Sequence, residues 1–297
     1  MTEADFLAAL RRLPLHAGAG GLADDVAVIG DLVVTTDTLV EGVHYLPGDP
    51  PGDVAWKLLA VNLSDLAAKG AAPMGALLNY PLGADDWDRA FLSGLETALT
   101  RFDCPLLGGD TVSLPSGASR VLTLTVLGKS DFAPARNGAR AGDILHLCGM
   151  IGDAGAGLAI ARGQAGPAEL LAVYRRPQPL LAEGRALAPL VHAMMDVSDG
   201  VLIDAARMAA ASGLAATIDL ALLPLSPAYR DFAGNDRDAR LAAATAGDDY
   251  ALLFATAADT VLPAPATAIG RLETGSGLHL VDAGAPIPLP VRLGFEH

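Results

Sequence analysis

The chain has 297 residues, 52% hydrophobic and 18% charged, with a formal net charge of −14 and a pI near 4.6. This composition supplies a sizeable apolar core and excludes disorder, while the acidic balance excludes unaided nucleic-acid binding, which needs a basic footprint. No apolar run is long enough to cross a membrane, and the opening Met1-Thr2-Glu3-Ala4-Asp5 lacks the basic start of a signal peptide; Cys104 and Cys148 are too few and too far apart for a disulfide framework, so the expected location is the cytoplasm.

Thr2 is placed to cap a helix running to about residue 13. A Gly-rich turn at 18–21 then leads through Asp24-Asp25 into a strand at 26–29, with a second strand at 32–36 that ends at Asp37. Asp53 can cap a long helix to Lys69 that Gly70 stops, and its apolar residues run nearly all round, which predicts a buried helix. Strands follow at 74–80, 105–107 and 120–128, with a helix at 85–101. Apolar and polar residues alternate at 120–128, as in a strand covered on one face. The stretch 131–142, rich in Pro, Gly and Arg, divides the chain into an N-terminal unit (1–135) and a C-terminal unit (136–297). The second unit reads as a strand at 144–148, a helix to Arg162, and a proline-broken connection at 175–179. A further helix, a strand at 194–197, a helix to Ala211, and strands near 215–219, 250–255 and 268–272 complete it. Strands alternating with helices give α/β or α+β architecture in both units.

The chain contains no GxxxxGK[ST], HExxH or GxSxG motif. Gly18-Ala19-Gly20-Gly21-Leu22-Ala23 fits GxGxxA formally, but no strand precedes it and Asp24-Asp25 stands where a helix should open. What recurs instead is an aspartate at the end of a short apolar strand, beside small residues: Asp24-Asp25, Thr35-Thr36-Asp37, Gly108-Gly109-Asp110-Thr111 and Asp196-Val197-Ser198-Asp199-Gly200. Strand ends lining a crevice bind ligands in open α/β sheets, and magnesium takes oxygen ligands from a few carboxylates and from phosphates. Each aspartate also has a plain structural reading. Asp24-Asp25 and Gly109-Asp110 fit turns, Asp37 could begin one, Asp65 has Lys69 at helical ion-pair spacing, and Ser198 and Asp199 are both good helix caps. Asn62, Ser64 and Asp65 nevertheless interrupt an apolar helix, which favours an internal polar cluster.

Taken in order, these blocks resemble the thiamine-monophosphate kinase family, within the superfamily that includes aminoimidazole ribonucleotide synthetase. The matching stretches are Gly21-Leu22-Ala23-Asp24-Asp25, Thr35-Thr36-Asp37-Thr38-Leu39-Val40-Glu41-Gly42-Val43-His44 and Ala60-Val61-Asn62-Leu63-Ser64-Asp65-Leu66-Ala67-Ala68. They continue with Gly108-Gly109-Asp110-Thr111, Gly142-Asp143, Arg176-Pro177, Asp196-Val197-Ser198-Asp199-Gly200 and Gly247-Asp248-Asp249-Tyr250, spanning nearly the whole chain. The resemblance implies a two-domain α/β fold whose N-terminal sheets pair in a homodimer. It implies ATP and thiamine monophosphate as substrates and Mg2+ as cofactor. By it, Asp25, Thr35, Thr36, Asp37, Asp65, Asp110, Asp196 and Asp199 hold metal, with Asp37, Asp65, Asp110 and Asp199 central to phosphoryl transfer. Gly109, Asp110, Arg136 and Ser198 contact ATP, and His44, Asp248 and Phe295 contact the thiamine phosphate.

The chain departs from the family in two places. The family's Gly-Gly-Glu-Asp-Tyr-Glu appears as Ala246-Gly247-Asp248-Asp249-Tyr250-Ala251, a shorter carboxylate and a lost one. Lys69 stands where a methionine is usual, a change of little expected consequence. Related families fit less well: selenophosphate synthetase needs a reactive Cys near its start, and the hydrogenase-maturation relative a C-terminal one, where this chain ends Phe295-Glu296-His297. A catalytically silent nucleotide-binding protein is the rival of a different class, supported only by the changes at Asp248 and Ala251.

Overall fold

The structure, a computed structural model, describes residues 3–115 and 117–296. Thr2, the expected cap, lies outside the described residues, and the first helix is α1 (Glu3–Leu10). The chain forms a mixed α/β fold with two sheets, as expected.

The first sheet has five strands in the order β1-β2-β5-β3-β4. They are β1 (Ala27–Ile29), β2 (Leu32–Val40), β3 (Ala72–Leu82), β4 (Leu106–Ser113) and β5 (Val121–Lys129). Only β3 and β4 run parallel, linked by α3 (Asp85–Phe102). β2 does not end at Asp37: it continues to Val40, pairing with β5 all the way, so Asp37 is a mid-strand residue and not the start of a turn. Likewise Gly109-Asp110 lies inside β4, which is longer than its apolar start suggested.

Period-two alternation sorts the sheet's two faces. Val33, Leu39, Leu122, Leu124, Val126 and Leu78 are buried against α2 (Pro51–Ala68) and its neighbour α3. The other face carries Thr36, Thr38, Thr123, Thr125, Leu77 and Asn79, and β4 at the edge is exposed along all 8 residues. α2 is buried from Val54 to Ala68, with Leu58, Leu59, Leu63 and Leu66 at 0% exposure. Burying such side chains contributes about 2 kcal/mol each. The helix starts on Pro51, whose missing N–H suits the first turn. Asp53, expected as the cap, sits inside that turn and pairs with Arg176. After Lys69 the chain turns at Gly70 (φ 60), where a Cβ would meet Ala188 Cβ at 2.3 Å.

The second sheet has seven strands in the order β12-β11-β8-β10-β6-β9-β7. These are β6 (Ile144–Cys148), β7 (Ala193–Asp196), β8 (Leu214–Asp219), β9 (Leu252–Thr256), β10 (Thr267–Thr274), β11 (Gly277–Asp282) and β12 (Ala285–Ile287). Around it lie α4 (Asp153–Ala161), α5 (Ala168–Arg175), α6 (Leu181–Leu187), α7 (Val201–Ala211), α8 (Pro227–Ala233) and α9 (Arg237–Ala246). The sequence reading has no counterpart for α5, α8, α9, β11 or β12. On one face, Met194, Leu252 and Phe254 pack with Leu187 and with Ala67 and Ala68 at the end of α2. That helix therefore braces both sheets. Trp56 adds a tie, donating from Nε1 to the Pro177 carbonyl at 2.9 Å. Among the described residues no helix is long and apolar enough to cross a membrane.

Candidate active site

A cleft of about 1280 Å³ opens between β2 and α2 on one side and the loops after β7 and α9 on the other. Alternation along β2 turns Thr35 and Asp37 toward α2, and α2 answers with Asn62 and Asp65. The Asp37 amide donates to Asn62 Oδ1 at 3.1 Å, and the Asn62 amide group donates to the Leu58 carbonyl at 2.9 Å. Thr35 Oγ1 donates to Asp65 Oδ2 at 2.5 Å. Asp25, after the 3₁₀ turn Ala17–Leu22, and Asp196, the last residue of β7, complete the group. One carboxylate oxygen from each of Asp25, Asp65 and Asp196 lies within 4.8 Å of the others.

Packing carboxylates this closely, away from water, is costly for their charged forms. Burial, then the Asp25 charge, pushes Asp37 up to about 6, and the same two causes push Asp196 up to about 8. Asp65 is raised well above the carboxylate range by burial and then by Asp37, Asp196 and Asp25. A divalent cation relieves this crowding, and an all-oxygen donor set suits a hard one such as magnesium. The residues present therefore fit the ion that the resemblance implies.

Two arginines meet the cluster. Arg136 pairs with Asp25, and its backbone amide donates to Asp24 Oδ2 at 3.0 Å. Arg207 pairs with Asp199 and donates to Asp204 Oδ1 at 2.9 Å. Neither Ser198 nor Asp199 caps α7: the cap position is Gly200, and Asp204 Oδ2 accepts from the Asp199 and Gly200 amides at 3.2 Å each. The loop aspartate is thus left for the cleft, which Ser198 and Asp199 both line.

In the same cleft, His44 Nδ1 accepts from the Val40 amide at 3.0 Å. Asp248 pairs with Lys57 and accepts from the Tyr250 hydroxyl at 2.9 Å. Phe295 is tied into place by its amide, which donates to the Asp199 carbonyl at 2.9 Å. Asp249 points away, accepting from the Gly152 amide at 2.9 Å where α4 begins.

Gly109 and Asp110 do not line this cleft. The rows Asp37–Leu124–Leu78–Gly109 and Thr38–Thr123–Asn79–Asp110 put both residues three strands from β2, about 14 Å at ordinary strand spacing. Asp110 shares the open face of the sheet with Thr36 and Thr38. The sequence reading singled out the Asp24-Asp25 block but gave Asp24 no role, and it assigned none to Lys57, Lys69, Asp204 or Arg207. Lys57, Lys69 and Asp204 are charged positions inside apolar helical stretches, which was the available signal; Arg207 offered none beyond its charge.

Residues 23–130 match the N-terminal domain of the AIR synthase related protein family, and residues 140–282 match its C-terminal domain. Thiamine-monophosphate kinase of Caulobacter vibrioides is 38% identical, covering 100% of this chain and 91% of that protein. The Escherichia coli K12 protein of the same name is 36% identical over 93% of this chain and 91% of its own length. The chain belongs to the thiamine-monophosphate kinase family. A solved structure of a family member, AaThiL complexed with AMPPCP and TMP, superposes with a TM-score of 0.86 at 28% identity, covering 100% of this chain and 97% of that one. Membership of the family fixes the two-part AIR synthase-like fold.

Proposed function

We propose that this chain transfers the γ-phosphoryl group of ATP to the phosphate of thiamine monophosphate, giving thiamine diphosphate and ADP. The observation that carries the reading is the convergence of Asp25, Asp65 and Asp196 within 4.8 Å, in a chain whose full-length relatives are thiamine-monophosphate kinases. Asp25, Thr35, Thr36, Asp37, Asp65, Asp196 and Asp199, with Asp110, are the residues that would hold Mg2+. When bound there, magnesium supplies neutralisation of the charge on the phosphates.

The acceptor is a phosphate oxygen, already anionic near neutral pH, so no side chain has to remove a proton. What the protein contributes is position and a preorganised field. Arg136, Ser198, Gly109 and Asp110 contact ATP in this reading. His44, Asp248 and Phe295, lining the same cleft, fix the thiamine phosphate in this reading.

The active unit is a homodimer joined through the first sheet. The open edge β4 and the exposed Met74, Leu77, Leu106, Leu107 and Val112 are a surface that a soluble monomer rarely leaves bare. Pairing across a two-fold axis covers it, and brings Gly109 and Asp110 of one protomer to the cleft of the other. We divide each protomer into units 1–135 and 136–297 and place the reaction in the cytoplasm, consistent with two free, buried cysteines, Cys104 and Cys148.

A coupled assay of thiamine diphosphate formation from ATP and thiamine monophosphate tests the reading. Turnover with Mg2+ and none with EDTA is expected; full turnover without divalent metal, or no product at all, refutes it.

A further inference from the structure

We propose that Lys69, which lies outside the carboxylate cluster and does not line the cleft, is a positioning residue that sets the metal–nucleotide site of this chain. The inference rests on the reading of the aspartate cleft as that site. Lys69 follows the last residue of α2, and its side chain is 1% exposed. Its ammonium faces three acceptors: Asp24 Oδ1 at 2.7 Å, the Pro134 carbonyl at 3.0 Å and the Met194 carbonyl at 3.1 Å. An ammonium has three protons, so its donor capacity is filled.

Each acceptor sits next to a group of the site. Asp24 precedes Asp25, Pro134 lies two residues before Arg136, and Met194 lies two residues before Asp196. The second Asp24 oxygen accepts from the Arg136 amide at 3.0 Å, and the Arg136 guanidinium pairs with Asp25. Lys69, Asp24, Arg136 and Asp25 thus form one connected chain of contacts. Its anchor is a charge that is stable when buried only while its partners stay in place. Displacing any of the three segments would strand that charge, so all three are held in one mutual arrangement.

The direction of the side chain matters as much as its charge. At helical spacing Lys69 could have paired with Asp65, four residues earlier. It reaches Asp24 instead, while Asp65 takes the Thr35 hydroxyl. Lys69 therefore does not neutralise Asp65, which is left to meet a cation in the cleft. The expectation that a lysine in place of the family's usual methionine has little consequence is therefore corrected: in this chain it is a tie between three parts of the site.

The experiment measures, by calorimetry on the purified protein, binding of Mg2+ together with the non-hydrolysable analogue AMPPCP. It compares the unmodified chain with Lys69→Met, Asp24→Asn and the double variant, with the melting temperature of each in EDTA recorded alongside. Loss of an outer partner of a metal site weakens metal binding about 10- to 100-fold. A loss of about tenfold is expected for Lys69→Met, with the double variant no weaker than the weaker single one, because both changes break the same contact. Binding within twofold of the unmodified chain, even with a lowered melting temperature, reduces Lys69 to a packing role and overturns the inference. If Lys69→Met does not fold, Asp24→Asn decides, with the same tenfold loss expected and unchanged binding overturning the inference. No binding by the unmodified chain would refute the proposed function and the inference with it; binding that the variants leave unchanged refutes the inference alone.

Discussion

Lys57 and Asp248, 191 positions apart, form an ion pair that joins the middle of α2 to the loop before β9. The Lys57 ammonium also donates to the His44 carbonyl at 3.1 Å and lies 4.4 Å from the centre of the Tyr174 ring. Two of the three residues assigned to the acceptor, His44 and Asp248, are therefore held by one buried cation. This gives the shorter carboxylate at 248 a physical context: it meets a lysine at one oxygen and the Tyr250 hydroxyl at the other.

Because both Asp248 oxygens are engaged, lengthening the side chain has nowhere to go without breaking one contact. Asp248→Glu is expected to raise KM for thiamine monophosphate severalfold while leaving KM for ATP unchanged. Steady-state kinetics in each substrate checks this. Identical constants for both would put Asp248 beyond the substrate's reach.

Asp37→Asn separates function from stability. The backbone amide keeps its bond to Asn62 and the side chain keeps its size, so β2 is preserved. Removing one charge from the field on the phosphates is expected to lower kcat by on the order of 10²-fold. The same change relieves repulsion, so without metal the variant should melt higher than the parent near pH 8. A near-parental rate at saturating magnesium would contradict the assignment.

The metal-free protein should lose stability as pH rises from about 4 to about 8. Folding raises Asp37 from 3.8 to about 6 and Asp196 from 3.8 to about 8, in both cases by burial and then by Asp25. Below both values each state is protonated and nothing is lost. Between them the unfolded chain has released protons that the folded chain still holds, so the folded state loses ground with each increment of pH. Mg2+ competes with those protons, and its stabilising effect should be larger at pH 8 than at pH 5.5. Melting curves at the two pH values, with EDTA and with Mg2+, test both signs; a metal-free protein that melts higher at pH 8 contradicts the argument.

What the sequence made legible was the local part of this picture. The burial of α2, the alternation of β5 and the strand ends at Asp25 and Asp196 all follow from short-range pattern. Two things were not legible locally. α5, α8 and α9 are short helices whose existence depends on packing against other helices, α5 and α8 on α4 and α9 on α4 and α7; α9 is rich in alanine and is capped by Asp236, which accepts from the Ala239 amide at 2.9 Å. Ion pairing was the other: Lys69 has Asp65 at helical spacing yet reaches Asp24, 45 residues away, and only the tertiary arrangement decides between them. Asp110 is a third case. Its motif reads as part of the site, but the sheet register leaves it on an edge strand away from the cleft of the same chain.

That register gives a test of assembly sharper than molecular mass alone. Light scattering at micromolar concentration should show a dimer, and Val112→Lys, which puts a charge near the C-terminal end of the exposed edge strand, should shift it toward monomer. If Asp110 serves the partner's cleft, Asp37→Asn and Asp110→Asn protomers complement each other. In a mixed dimer one cleft then receives both substitutions and the other receives neither. Unfolding and refolding the two inactive variants together should restore activity, up to about half the parental rate in each mixed dimer, since one of its two clefts is intact. If Asp110 acted within its own protomer, every cleft of the mixture would carry one lesion. The mixture would then stay as inactive as its parts, and the assignment of Asp110 to the partner's site would fall.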